Sequence, residues 1–260
     1  MALPVPTATD QDAMPLSAPP PRLPPGACLF LDFDGTLVEL AETPDAIVVG
    51  DGMRALLERL AAALDGRVAL VSGRSVAQLD AFLHPARVAA VAGSHGGERR
   101  YADGRSELPG APDAFAPAAQ AAHAFAAERP GLLVEEKSFG VTLHYRLAPH
   151  HEPDTSRFAR QLAEAHGLHL QGGKMMVDLR LPGADKGDAV RAMMAQPGWA
   201  AGVPLFVGDD LTDEDGFAAA RELGGAGVLV GPERATAASH RLSDVAAVHR
   251  WLGETCEGPL

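Results

Sequence analysis

Five consecutive apolar residues, Ala27-Cys28-Leu29-Phe30-Leu31, run directly into Asp32-Phe33-Asp34-Gly35-Thr36. An unbroken apolar run of this length suits a strand buried on both faces, as in a parallel sheet covered by helices on either side. Comparable runs recur at residues 67–71, 88–92, 205–207 and 227–230. Between them the pattern becomes helical. Residues 51–64 start at Asp51, read as the N-cap, and space Met53, Leu56, Leu57, Leu60 and Leu64 along one helix face. Further helices are predicted at 75–83 and from Lys186, Asp213 and Ser243 onward. This alternation predicts a parallel sheet wound by right-handed crossovers. Residues 98–108, with Asp103-Gly104 at the turn, interrupt it as a hairpin.

Between Pro109 and Pro182 the order changes to helix (114–128), two strands (132–138, 141–147), helix (154–166) and two strands (168–171, 175–180). That order predicts an open four-stranded sheet with two helices on one face. The chain therefore reads as an α/β, Rossmann-like core made of residues 26–108 and 181–260, with an inserted α+β domain at 109–180. Eight of the first 25 residues are proline, so 1–25 is expected to be a disordered or loosely draped tail.

The formal net charge of −12 disfavours nucleic acid and anionic membranes as partners. No apolar run is long enough to span a bilayer, and the N-terminus lacks a secretory pattern, so a cytoplasmic protein is expected. No obligate protein partner is evident. An anionic small-molecule substrate would need positive charge supplied locally, by a metal or a few placed Lys and Arg.

Asp32 and Asp34 follow the carboxyl end of a predicted strand, where open parallel sheets bind ligands. Two carboxylates on one side of a strand end call for a counter-charge, and hard Mg²⁺ prefers such oxygens. Gly35 permits a turn, and Thr36 offers a hydroxyl to the helix start or to a phosphate. Ser72-Gly73-Arg74 follows the second strand and precedes a helix, a setting that favours anions. Lys186 stands at a helix start, against the helix dipole, as if an anion were close by. Gly208-Asp209-Asp210-Leu211-Thr212-Asp213-Glu214 puts an acidic cluster at a further strand end.

These four segments, in this order, resemble the motifs of the haloacid dehalogenase (HAD) superfamily of aspartate-nucleophile phosphatases. The resemblance implies that Asp32 attacks phosphorus and that Asp34 serves as acid and then base. It implies a Mg²⁺ cofactor held by Asp32, the Asp34 carbonyl and Asp209, with Asp210 or Asp213 completing the shell. Ser72 would bind a phosphoryl oxygen, and Lys186 would neutralise Asp32 and the transferred group.

Several stretches are similar to trehalose-6-phosphate phosphatases within that superfamily: Val71-Ser72-Gly73-Arg74, Gly93-Ser94-His95-Gly96-Gly97-Glu98, Glu136-Lys137-Ser138, His144-Tyr145-Arg146 and Gly173-Lys174-Met175. This likeness implies hydrolysis of trehalose 6-phosphate, with other sugar phosphates, sucrose phosphate or a glycosyl phosphoglycerate, as alternatives on the same core. A non-catalytic sugar-phosphate sensor and a mutase are the remaining readings. In the insert, alternation places Glu136, His144, Arg146, Lys174, Asp178 and Arg180 on one polar face. The likeness then implies that Glu136, Lys174 and Asp178 grip the distal glucose, Asp178 being shorter than the family's usual Glu. His95 and Glu98 are candidates for the cleft wall. Gly73 belongs to the substrate-facing loop, and Arg74 either contacts substrate or buttresses that loop.

Overall fold

The computed structural model describes residues 16–256, apart from 42, 44–46, 85–89, 108–114, 138–139 and 181–184. The central run forms β1 (Ala27–Leu31), and all five of its residues are buried. Leu29 and Leu31 join the apolar cluster on one face of the sheet, and Cys28 and Phe30 the cluster on the other. The double burial expected of this segment thus follows from ordinary strand alternation between two helical layers.

On one side of β1 lie β2 (Val68–Val71), β3 (Ala90–Gly93), β4 (Glu98–Arg100) and β5 (Ser106–Glu107). On the other lie β10 (Val203–Gly208), β11 (Ala226–Val230) and β12 (His240–Leu242), giving the order β12-β11-β10-β1-β2-β3-β4-β5. All pairings are parallel except β3–β4 and β4–β5, the predicted hairpin. Helix α1 (Asp51–Ala63) buries Met53, Leu56, Leu57 and Leu60 against the cluster that also holds Val248 and Leu252 of α7 (Val245–Cys256). Helices α5 (Lys186–Met194) and α6 (Glu214–Glu222) cover the opposite face, where Phe217 meets Phe206 edge-on at 5.6 Å. Helix α2 (Val76–Leu83) starts from a capping box between Ser75 and Gln78. Asp51 is not the cap expected of it: Gly50 takes the N-cap position, and Asp51 sits in the first turn with its carboxylate on Arg54 at 2.9 Å.

Between β5 and α5 the chain builds a second sheet from β6 (Leu133–Lys137), β7 (Gly140–His144), β8 (His169–Gly173) and β9 (Met176–Arg180), in the order β6-β7-β9-β8 and wholly antiparallel. Helices α3 (Ala116–Ala127) and α4 (Glu152–His166) cover one face, their Phe125 and Phe158 rings stacked at 4.0 Å. The sheet contributes Val141, Leu143, Val177 and Leu179 to that interior. The boundaries expected at 108/109 and 180/181 adjoin residues outside the described set.

The proline-rich segment divides. Residues 1–15 lie outside the described residues, and 16–25, mostly exposed, touch the core at a few points. Ser17 bridges to His240 beside β12, the Trp251 indole donates to the Pro20 carbonyl at 2.8 Å, and Leu23 is buried in the core. Proline-rich backbone lacks ladder donors, yet it serves well as a strap over a sheet edge.

Phe217 is fully buried between α6 and the sheet. Phe217→Ala is expected to lower unfolding stability by about 3–5 kcal/mol through lost burial and an unfilled cavity, read from the denaturant midpoint. A shift under about 1 kcal/mol would contradict the packing described.

Candidate active site

The carboxyl ends of β1, β2 and β10 lie side by side, so the residues that follow each strand meet at one edge. Asp32 is buried there, its N–H donating to the Val207 carbonyl at 2.9 Å. Lys186, the first residue of α5, points its Nζ between two carboxylates, 2.7 Å from Asp32 Oδ1 and 2.6 Å from Asp213 Oδ1. Asp185 provides the α5 N-cap by accepting from the Asp188 N–H at 2.7 Å, which frees the neighbouring lysine to turn inward.

Burial pushes the Asp32 carboxyl well above the ordinary carboxylate range, Lys186 opposes that push, and Asp213 and Asp209 add to it. Burial also works against the Lys186 charge, but the two carboxylates together outweigh it and hold the ammonium protonated beyond the ordinary lysine range. Asp209 is pushed up to about 7, by burial first and then by Asp213, with Lys186 pulling the other way.

Asp32, Asp209 and Asp213 can bring one oxygen each within 4.8 Å of one another. Three carboxylates against one ammonium leave two formal negative charges at the cluster. A divalent cation would neutralise them, and an all-oxygen donor set suits a hard ion. Gly35 makes room for this cluster: its φ is +82°, and a Cβ there would stand 2.3 Å from Asp209 Oδ2. The residues present therefore fit a metal. Asp210 also lines the cavity, and its exposed carboxylate caps the turn ahead of α6 by accepting from the Leu211 N–H at 2.6 Å through Oδ1. Thr36 is wholly buried, with its hydroxyl 3.5 Å from Asp209 Oδ1, and so supports a carboxylate from beneath.

The second loop is stitched to the third. Ser72 Oγ accepts from the Arg74 N–H at 3.1 Å, and the Ser72 and Arg74 carbonyls accept from the N–H groups of His95 and Ser94. Glu98 is not on the cleft wall. It is buried, accepting from the Ser94 hydroxyl and from the first N–H of α2 at 3.2 Å. Gly73 lets the His95 ring in, because a Cβ would meet it at 2.8 Å. Asp34 faces Arg74, whose Nε and Nη2 each lie 2.7 Å from one of its carboxylate oxygens.

Above these residues the bare face of the four-stranded sheet closes a cavity of about 230 Å³, whose lining includes Asp32, Asp34, Ser72, Gly73, Arg74, His95, Lys186 and Asp209 below and Glu135, His144, Arg146, Lys174 and Asp178 above. Contacts across it include His95 Nε2, 3.7 Å from Asp178 Oδ2, and Arg146, which donates to the Ala41 carbonyl at 3.4 Å. Asp178 is buried and accepts from the Thr142 hydroxyl at 2.5 Å. Lys174 does not continue β9. It is exposed in the tight turn before that strand, followed by Met175 at φ 61°, and its charge reaches Asp209.

Glu136 is a correction. β6 pairs Glu136 with Val141 and Glu135 with Thr142, so Glu136 shares the helix-side face with Val134 and meets His123 of α3 at 2.6 Å. Glu135 is the residue on the cleft face, 3.0 Å from His144 Nε2. A shift of one residue exchanges the two faces of a strand. Ser138 lies outside the described residues. The missed signal was parity with Val134, which packs against the helices.

The doubly wound sheet with its α+β insert is a fold shared with a phosphatase of the HAD superfamily from Bacteroides thetaiotaomicron, which superimposes with a TM-score of 0.59 at 16% identity, over 89% of this chain and 98% of that one. Residues 30–246 match the profile of the Trehalose-phosphatase family. The chain is also 42% identical over 225 residues to the trehalose-6-phosphate phosphatase of Escherichia coli K12, covering 86% of this chain and 84% of that protein. A solved trehalose-6-phosphate phosphatase related protein superimposes with a TM-score of 0.75 at 26% identity, over 86% of this chain and 95% of that one. This chain belongs to the trehalose-phosphatase family and is a phosphatase.

Gly35→Ala should force the Asp209 carboxylate aside. The metal concentration giving half-maximal phosphatase rate is expected to rise at least about tenfold, the scale on which neighbours of metal ligands act. An unchanged metal requirement would remove Gly35 and Asp209 from the metal site.

Proposed function

We propose that the chain hydrolyses trehalose 6-phosphate to trehalose and phosphate, with Asp32 as nucleophile. The observation that carries this reading is the buried Lys186 ammonium shared by Asp32 and Asp213 at the floor of a cleft whose roof carries Glu135, His144 and Asp178. Lys186 favours the ionised form of Asp32 against the push of burial and holds its carboxylate at the cavity floor. It also offers positive charge where a phosphoryl group would develop negative charge in transfer. The substrate class follows from the 42% identity to an enzyme named for that ester, and from a roof bearing Glu135, His144 and Asp178 as acceptors for hydroxyl groups.

In this reading Asp32 attacks phosphorus while Asp34 gives a proton to the departing sugar oxygen. Asp34 then takes a proton from the water that cleaves the acyl phosphate. The Ser72 hydroxyl holds a phosphoryl oxygen. Asp32, Asp209 and Asp213 would hold Mg²⁺, which supplies charge neutralisation on the phosphoryl oxygens. Residues 109–180 form the specificity cap, and they exclude water once sugar is bound. The cap contacts assigned to sugar are Glu135 and Asp178, with Lys174 near the phosphoryl side.

The test is a panel of sugar phosphates, with and without Mg²⁺. Trehalose 6-phosphate should be turned over at least about tenfold faster, in kcat/KM, than sucrose phosphate or a glycosyl phosphoglycerate, a preference of roughly one good polar contact. Chelation should abolish turnover, and Asp32→Asn should abolish phosphate release while leaving the fold intact. Equal activity on another ester would overturn the substrate, and turnover by Asp32→Asn would overturn the mechanism. Glu135→Ala should raise KM for trehalose 6-phosphate several-fold more than Glu136→Ala, and the reverse order would restore Glu136 to the site.

A further inference from the structure

We infer that Arg74 is the positioning residue for Asp34: its guanidinium fixes the plane of that carboxylate for proton transfer and does not grip substrate. This inference rests on the acid–base role proposed for Asp34. Its basis is the fork, with Nε on Asp34 Oδ2 and Nη2 on Oδ1, each at 2.7 Å. Such a paired geometry fixes both distance and orientation, as a single ammonium would not.

The fork is itself immobilised. Arg74 is buried, its guanidinium carbon lies 4.9 Å from the centre of the Phe82 ring and 5.9 Å from that of Phe33, and both of its backbone groups are engaged by Ser72 and Ser94. Phe33 is the residue between the two aspartates, so one side chain braces both the arginine and the segment it orients. A phosphate or sugar oxygen could take these two donors only by displacing a carboxylate already on them.

The chemistry gives the fork a definite moment of use. In the first transfer an Asp32 oxygen bonds to phosphorus, the ester P–O bond breaks, and the Asp34 proton moves to the leaving oxygen. Asp34 is left as a carboxylate, and two Arg74 N–H groups are in place to receive it. In the second transfer that carboxylate takes a proton from water as the water oxygen bonds to phosphorus and the Asp32–phosphorus bond breaks. Arg74 gains and loses no proton in either step.

The experiment compares leaving groups. The sugar alkoxide needs Asp34's proton, whereas p-nitrophenolate departs without one, and kcat/KM for each ester reports the first transfer. In Arg74→Met, whose side chain can still lie against Phe82, kcat/KM for trehalose 6-phosphate is expected to fall about 100-fold and that for p-nitrophenyl phosphate less than about 10-fold, because general acid catalysis is worth some 10²–10⁴-fold. Arg74→Lys, with charge but no fork, should recover only part of the loss. Equal losses on both esters would overturn the inference, since they would mean that Arg74 serves the shared phosphoryl group or the fold. A higher KM for the sugar ester at unchanged kcat would overturn it in favour of a sugar contact. Asp34→Asn separates the two layers. If it shows the leaving-group bias and Arg74→Met does not, the role of Arg74 falls alone; if it shows no bias, the acid role of Asp34 falls first.

Discussion

The shared lysine is the constraint on which the rest of the structure depends. Asp32 comes from β1, Asp213 from the turn before α6, and Lys186 from the first turn of α5, so one ammonium ties three separated parts of the chain to one point. Burying these charges is expensive unless each is paired, and removing one partner from such a set typically costs about 3–5 kcal/mol. The cost is met by placing them where a doubly wound sheet naturally opens, at the carboxyl edge of its central strands. The remaining negative charge makes the same site receptive to a cation, so the electrostatics that strain the fold also prepare its chemistry.

The roof is organised on a different principle. Its polar residues are mostly paired with each other: Glu135 with His144, Asp178 with Thr142. They are held at fixed positions on a sheet whose other face is locked by two helices. Contacts such as Asp178 to His95 and Arg146 to the Ala41 carbonyl reach the floor. The floor therefore carries groups suited to phosphorus, and the roof groups suited to hydroxyls.

What could be read from sequence follows this division. Strand ends are marked by abrupt changes from apolar runs to Asp, Ser or Gly, so Asp32, Ser72 and Asp209 could be placed at one edge from the alternation of elements alone. Side-chain direction in the second sheet was harder. Leu132, Leu133 and Val134 are all apolar, so β6 lacks clean alternation and the parity of Glu135 and Glu136 was read one residue out. The partner strand resolves it, because Thr142 and His144 can face the cleft only if Glu135 does. Lys174 was extrapolated along a strand that instead ends in a left-handed turn at Met175, an unusual conformation for that residue type. The prolines of residues 16–25 argued correctly against a helix, but composition carries no record of what an extended segment lies upon.

That segment has a consequence of its own. Ser17 both donates to the Ser239 carbonyl and accepts from the Arg241 N–H at 2.8 Å, so it pairs with part of the open edge of β12. A chain trimmed to the first core strand would keep every residue of the cleft yet leave that edge vacant. An exposed edge of this kind is a template on which a second molecule can add a strand. Through Ser17, the segment ahead of β1 covers part of that edge, at a distance from the cleft.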